Sequence, residues 1–260
     1  VSSPHRPRKR FGQNFLVDHT VIDRIMAAIA PRPDERIVEI GPGREALTAP
    51  LLQAQAALTV VEIDRDLARA LRQRHPALAV VEGDALEVDF AGLGDGAPYR
   101  IVGNLPYNIS TPLLFHLLDQ DPPPRDMHFM LQKEVVERMT ATPGGRDYGR
   151  LSLACHNRAE VSFLFGVPPG AFEPRPRVDS AVVRVVPRPR PLVPPDLQGA
   201  FDDLVRLAFS QRRKTLRNSL KGRLEPETIS AAGVDPGTRP ERVDLEGFLA
   251  LARAGKMKAS

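Results

Sequence analysis

The chain has 260 residues, 42% of them hydrophobic, and 36 Lys and Arg against 32 Asp and Glu give a formal charge of +4. That length supports one sizeable core and a small second domain. Nothing in it approaches the roughly 18-residue apolar run of a membrane helix, and the single cysteine, Cys155, excludes an internal disulfide and a cysteine-based zinc site. The apolar "LSLACHN" around that thiol points to a core residue. No hydrophobic stretch follows the basic N-terminus, so a secretory signal is not expected and a cytoplasmic location is.

His5, Arg6, Arg8, Lys9 and Arg10 crowd the N-terminus. "TVIDRIMAAIA" then places Val21, Ile22, Ile25, Met26 and Ile29 at helical spacing. "ERIVEIGPG" reads as a strand ending in a tight turn, and "EALTAPLLQA" as a helix in which Pro50 makes a kink or marks an early turn. "ALTVVEID", "LAVVEGDAL" and "YRIVGNLPY" are further strands, with the helix "RDLARALRQRH" after the first of them. Asp64 is placed to cap that helix. "STPLLFHLLD" is helical, with Thr111 expected as N-cap and Pro112 as the first helical residue. "DMHFMLQ" is a fifth strand and "KEVVERMTA" a helix.

Strands alternating with helices imply an α/β fold, a mostly parallel sheet with both faces covered. "EVSFLFGVPP" and "SAVVRVVPR" have no helix between them and read as an antiparallel edge hairpin. The linker "PRPRPLVPP" is too proline-rich for helix or interior strand. It divides the chain into a domain over 1–187 and a small α-helical domain over 188–260. The latter opens with one long helical pattern, "DLQGAFDDLVRLAFSQRRKTLRNSLKG", carrying Arg206, Arg212, Arg213, Lys214, Arg217, Lys221 and Arg223. Two basic clusters on a nearly balanced body suggest a polyanionic partner.

Ligands of an open parallel sheet bind beyond the carboxyl ends of its strands. Four motifs fall there. Gly41 and Gly43 let backbone pass close to a ligand. Glu45 stands near where a dinucleotide fold has its third glycine, and a carboxylate there disfavours a pyrophosphate. It is expected to face solvent or to begin the next helix. Glu62, 21 residues after Gly41, is placed to accept ribose hydroxyls. Asp84 is placed to take an adenine amine, with Ala85 and Leu86 as an apolar wall. A nucleoside without phosphates, held by carboxylates, fits S-adenosylmethionine, and Glu39, Glu62 and Asp84 would supply a favourable field for its sulfonium.

Asn104, Leu105, Pro106 and Tyr107 form the fourth motif. An adenine N6 amine is a poor nucleophile because its lone pair is delocalised. The Asn104 side-chain oxygen and the Leu105 carbonyl are the expected acceptors of its two N–H bonds. Pro106 fixes the turn, and Tyr107 offers a ring to an extruded base. Phe172, in "VPPGAFEPRPRVDS", is the expected second face of that sandwich, with Arg175 and Arg177 toward phosphate.

The order "KRFGQNFL", "EIGPG", "VVEID", "EGDAL", "GNLPYNISTPLLF", "MLQKEVVERM", "YGRLS", "PPGAFEPRPRVDSAVV" and "FSQRRKTLRNSL" resembles the KsgA-type rRNA adenine dimethyltransferases over nearly the whole chain. The resemblance implies a class I, Rossmann-like methyltransferase domain and dimethylation at N6 of two adjacent adenosines near the 3′ end of 16S rRNA. It implies the immature small ribosomal subunit as partner and a role in its biogenesis. Cofactor contacts carry over to Asn14, Leu16, Gly41, Glu62, Asp84 and Asn104. No metal, membrane or particular oligomer is implied. Macrolide-resistance methyltransferases of the large-subunit rRNA share the fold and "QNFL" but usually have Ile at the position of Leu105. A DNA adenine or glutamine methyltransferase and a non-catalytic ribosome-assembly factor are the other readings.

Overall fold

A computed structural model describes residues 14–93 and 96–257. The basic N-terminal cluster lies outside the described residues. In chain order the elements are β1 (Phe15–Leu16), α1 (His19–Ile29), β2 (Arg36–Ile40), α2 (Thr48–Gln53), β3 (Ala57–Glu62), α3 (Arg65–Arg74), β4 (Ala79–Glu82), α4 (Phe90–Leu93), β5 (Arg100–Asn104) and α5 (Ser110–Leu118). There follow β6 (Asp126–Gln132), α6 (Lys133–Thr140), α7 (Arg150–Arg158), β7 (Ala159–Val167), β8 (Phe172–Glu173) and β9 (Ser180–Pro187). Helices α8 (Pro195–Ser210), α9 (Leu216–Ser219), α10 (Pro226–Ala231) and α11 (Leu245–Met257) complete the chain.

Seven strands form one sheet in the order β4-β3-β2-β5-β6-β9-β7. The first five pair in parallel, and β9 runs antiparallel to β6. The chain builds outward from β2 to β4, then returns to β5 on the other side of β2. The topological switch point therefore lies between β2 and β5, where ligands of such sheets bind. The register pairs Ile40 with Gly103, so the Gly41 turn opens beside Asn104.

The expected helix starts are mostly found. Asp64 caps α3 by accepting the Asp66 N–H at 3.0 Å. Pro50 falls in the first turn of α2, where its missing N–H costs no intrahelical bond. Helix α5 starts earlier than expected: Ile109 is its N-cap, and Thr111 and Pro112 lie inside the first turn. The Ser110 hydroxyl donates to the Tyr107 carbonyl at 3.1 Å and draws the helix start toward the site.

The described chain divides into two compact units. One comprises residues up to Val136 together with Ser162–Pro187; the other comprises Glu137–Val161 and the residues from Arg188 on. The expected division at 187 coincides with one boundary, but 137–161 belongs with the helical unit rather than with the sheet. Its Tyr148 and Leu153 are buried in a cluster with Phe201, Leu204, Leu216 and Phe248. The long helix expected after the linker is interrupted. It stops at Ser210, and the Leu216 and Arg217 N–H groups donate to the carbonyls of Thr238 and Pro236. Arg212, Arg213 and Lys214 thus sit, exposed, on the turn between α8 and α9 rather than along a helix. Cys155 is buried on α7, and burial pushes its thiol up to about 12, so it is an unreactive core residue. Among the described residues no helix is long and apolar enough to cross a membrane, and no cluster of three or more metal-ligating side chains occurs.

Candidate active site

A cavity of about 320 Å³ opens at the switch point. It is lined by nine of the ten expected site residues: Asn14, Leu16, Gly41, Glu62, Asp84, Asn104, Leu105, Pro106 and Tyr107. Each of the last seven stands at or just beyond the carboxyl end of a parallel strand.

Gly41 and Gly43 have φ of 66° and 55°, the left-handed region in which a side chain is strained. A Cβ on Gly43 would also meet the Phe15 ring at 3.0 Å. The turn is drawn inward by Glu62, whose Oε2 accepts the Gly43 N–H at 3.3 Å while Oε1 accepts the Asp64 N–H at 2.9 Å. Burial raises the Glu62 carboxyl, and those N–H groups partly offset the rise. Asp84 takes the Leu86 N–H on Oδ1 at 3.0 Å, which fixes its carboxylate at the rim. Ala85 lines the cavity as the expected apolar wall; the second apolar contact is Ile63 rather than Leu86.

Glu39 is 2% exposed and accepts the Thr48 hydroxyl at 2.7 Å. Burial lifts its carboxyl to about 8; the Thr48 bond opposes the shift, and the Glu62 and Glu45 charges add to it. Burial thus favours the protonated acid in the ligand-free protein, against the fixed negative charge expected from its position. Entry of a cation favours its ionised form. Between pH 4.5 and about 8 the folded chain holds a proton that the unfolded chain has released, so this contribution falls as pH rises through that window. Glu39→Gln, which mimics the protonated acid, is expected to stabilise the ligand-free protein by about 4 kcal/mol at pH 8 and little at pH 4.5. Urea midpoints at the two pH values check this; an equal shift at both would remove Glu39 as the cause.

Glu45 neither faces solvent nor lines the cavity. It is 9% exposed, has φ of 69°, and pairs with Arg74 at 2.6 Å and His75 at 2.8 Å, beyond the cavity lining. The carboxylate thus ties the glycine turn to the end of α3, and its side chain is accommodated despite the strained backbone.

At the end of β5 the Asn104 Nδ2 donates to the Asn14 carbonyl at 2.9 Å. A carbonyl only accepts, so this bond fixes the amide and leaves Oδ1 as its acceptor. The Leu105 N–H is anchored to the Met130 carbonyl at 3.2 Å. The carbonyls of Pro106 and Tyr107 are used by the Ile109 N–H and the Ser110 hydroxyl, which stiffens the loop. The Tyr107 hydroxyl is bonded to the buried Ser180 hydroxyl at 2.7 Å, holding the ring from β9.

Phe172 is the one expected site residue not brought to the cavity. It is 3% exposed and packs in the core with Val167 and Val182. Its backbone pairs with Leu16 in the two-stranded β1–β8 ribbon, and the alternation of a strand sends Phe172 inward and Glu173 outward. Arg175 and Arg177 are exposed on the following loop, which leads directly into Ser180. Phe15, Arg44 and Ile63 also line the cavity and Ser180 supports Tyr107, none of them expected from the sequence. Ile63 was the most visible of these, an apolar residue between two acidic ones at a strand end.

The donor set suits a cationic nucleoside. Two left-handed glycines leave a backbone cradle, Glu62 and Asp84 offer acceptors at strand ends, and Ile63 and Ala85 give apolar contact. S-adenosylmethionine has these three needs: acceptors for its ribose and adenine amine, an apolar slot for its base, and acidic surroundings for its sulfonium.

A family model described as ribosomal RNA adenine dimethylase matches residues 4–254. The ribosomal RNA small subunit methyltransferase A of Chromohalobacter salexigens is 53% identical over 256 residues, covering 95% of this chain and 91% of the relative. Its counterpart in Acinetobacter baylyi is 55% identical over 253 residues, covering 95% and 92%. Among solved structures, a dimethyladenosine transferase from Plasmodium falciparum superposes with a TM-score of 0.80 at 26% identity, over 94% of this chain and 98% of that one. The 23S rRNA methyltransferase ErmE gives 0.73 at 30% identity, over 94% and 100%.

Proposed function

From a chain that belongs to the ribosomal RNA adenine dimethylase family, we infer a catalyst that dimethylates N6 of two adjacent adenosines near the 3′ end of 16S rRNA in the immature small ribosomal subunit. S-adenosylmethionine supplies an electrophilic methyl on its sulfonium sulfur. Glu62 would hold the ribose hydroxyls, Asp84 the adenine amine, and Asn14 and Leu16 would close the arm side of the pocket. The observation that carries the reading is that Asn104, Leu105, Pro106 and Tyr107 share one cavity with Gly41, Glu62 and Asp84.

The protein's own part is positioning and hydrogen bonding. The target base leaves its stack and lies on the Tyr107 ring, a contact worth ~1–3 kcal/mol. Asn104 Oδ1 and the Leu105 carbonyl accept the two N–H bonds of its amine. They localise the nitrogen lone pair and turn it out of the ring plane. The amine becomes acidic only as its new bond forms and the sulfur–methyl bond breaks with its electron pair left on sulfur, so the surplus proton can pass to water and no strong base is needed. For the second transfer one acceptor suffices, because the monomethylated nitrogen keeps one hydrogen. Exposed Arg175, Arg177, Arg212, Arg213 and Lys214 supply cationic surface for the RNA backbone.

Small-subunit specificity is favoured over the large-subunit reading by the 53–55% identity to small-subunit enzymes, against 30% to ErmE. The deciding assay incubates the protein with under-methylated small subunits, naked rRNA and DNA, and measures dimethyladenosine by mass spectrometry. Two dimethyladenosines per small subunit are expected. Product only on large-subunit RNA or DNA would overturn the assignment.

A further inference from the structure

Arg44, on the glycine turn, reaches the β1–β8 ribbon. Arg44 lines the cavity, with its guanidinium carbon 4.5 Å from the centroid of the Phe15 ring. Its Nη1 donates to Glu173 Oε2 at 3.3 Å. Phe15 and Glu173 are themselves register partners across the ribbon. One residue before Phe15 stands Asn14, whose carbonyl takes the Asn104 amide N–H.

We propose that Arg44 is a positioning residue for methyl transfer: it latches the Asn14–Leu16 arm over the cavity, and the arm's Asn14 carbonyl then sets which end of the Asn104 amide meets the base. The proposal rests on the reading of Asn104 Oδ1 as an acceptor of the adenine amine.

The two ends of an amide are nearly equal in shape. A half-turn of Asn104 would point its NH2 at the substrate's own NH2, donor against donor. The Asn14 carbonyl removes that degeneracy, but only while the arm stays in place. Two residues of strand pairing and the 2.9 Å bond from the Val17 N–H to the Ala171 carbonyl are a short ladder. Arg44 adds a contact to each strand of it. Its ion pair is solvent-screened, since the Arg44 and Glu173 side chains are 33% and 69% exposed. The latch therefore biases the arm toward closure without sealing it, as a site that exchanges a cofactor at each turnover requires.

The test uses Arg44→Met, which keeps the aliphatic stem and removes the guanidinium. With small subunits and cofactor saturating, turnover is expected to fall about tenfold, while the equilibrium Kd for S-adenosylmethionine changes less than threefold. Arg44→Lys, which retains a cation, should recover most of the loss. The chain has no tryptophan, so Val17→Trp, on the exposed side of the arm, reports the latch directly. Its quenching by acrylamide should rise when Arg44→Met is added. Parent-like turnover in Arg44→Met overturns the latch, as does slow turnover with unchanged quenching. Should Arg44→Met fold poorly, Glu173→Gln in the Val17→Trp background gives the same quenching readout from an exposed position. Asn104→Ala separates the two levels. Full turnover in that variant sinks the acceptor reading itself; an inactive Asn104→Ala beside a fully active Arg44→Met sinks only the latch.

Discussion

Asn104→Ala is expected to lower the rate of methyl transfer by about 10²–10³, the cost of losing one hydrogen-bonding group aimed at a reacting centre. The substitution removes Oδ1 and also the bond from Asn104 Nδ2 to the Asn14 carbonyl. RNA affinity should hold within a few-fold, because Tyr107 and the exposed arginines remain. Asn104→Asp should fall between the two. It keeps an acceptor toward the amine but sets a carboxylate oxygen against the Asn14 carbonyl, acceptor against acceptor. Single-turnover methylation of small subunits measures both variants, and an alanine variant within threefold of the parent would remove the amide from the mechanism. The same variant addresses a purely structural role in ribosome assembly. If Asn104→Ala restores subunit maturation fully in cells lacking the parent, while rRNA stays unmethylated, then assembly rather than methyl transfer is the essential contribution.

Much of the sheet was legible because its strands are apolar runs bounded by turn residues. "DMHFMLQ" is β6 to the residue, and Gly41, Glu62, Asp84 and Asn104 could be gathered into one site because parallel strands end at a common edge. The failures share a physical cause, which is dependence on a partner distant in sequence. Strands β1 and β8 have two residues each, too few for any period to register. Whether Phe172 faces the cavity or the core depends on its pairing with Leu16, 156 positions earlier, and no local pattern carries that phase. Glu45 is held by Arg74 and His75 at the far end of α3. The break after Ser210 is made by carbonyls of Pro236 and Thr238, while the local sequence continues in helical rhythm. Asn14 and Leu16 came from family resemblance, and their places at the cavity arise from a ribbon that periodicity cannot reveal.

The largest stability loss is expected at the opposite end of β5. There Arg100, 7% exposed, donates from Nε to Asp126 Oδ1 at 2.6 Å and from Nη2 to Oδ2 at 3.2 Å, and pairs through Nη1 with Glu35 at 3.0 Å. Arg184 joins Asp126 at 3.1 Å, and Arg125 joins Glu35 at 3.1 Å. Burial raises the Asp126 carboxyl, but the Arg100 bonds and charge outweigh it and hold the group below the usual carboxylate value. Its contribution is thus present above that usual value and lost as pH falls through the lowered one. His128, also buried, is pushed down to about 4 by burial, with Asp126 opposing and Arg100 and Arg184 adding to the drop. It therefore costs stability as pH falls from 6.5 toward 4, so acid destabilisation should begin with the histidine and steepen as Asp126 protonates. Asp126→Asn leaves the Arg100 guanidinium facing a neutral amide in a buried site. Removing one partner of a buried pair costs about 3–5 kcal/mol, which urea unfolding at pH 7 will register as a lower midpoint. Adding Arg100→Met should return part of that loss, since the double variant no longer buries a cation that has lost its bidentate partner and keeps only Glu35, although Glu35 then relies on Arg125 alone. A double variant less stable than Asp126→Asn would contradict this electrostatic account. Methyl transfer per folded molecule should stay close to the parent in every case. Asn104 lies four residues further along β5, about 13 Å away at strand spacing, so one strand carries stability at its amino end and chemistry at its carboxyl end.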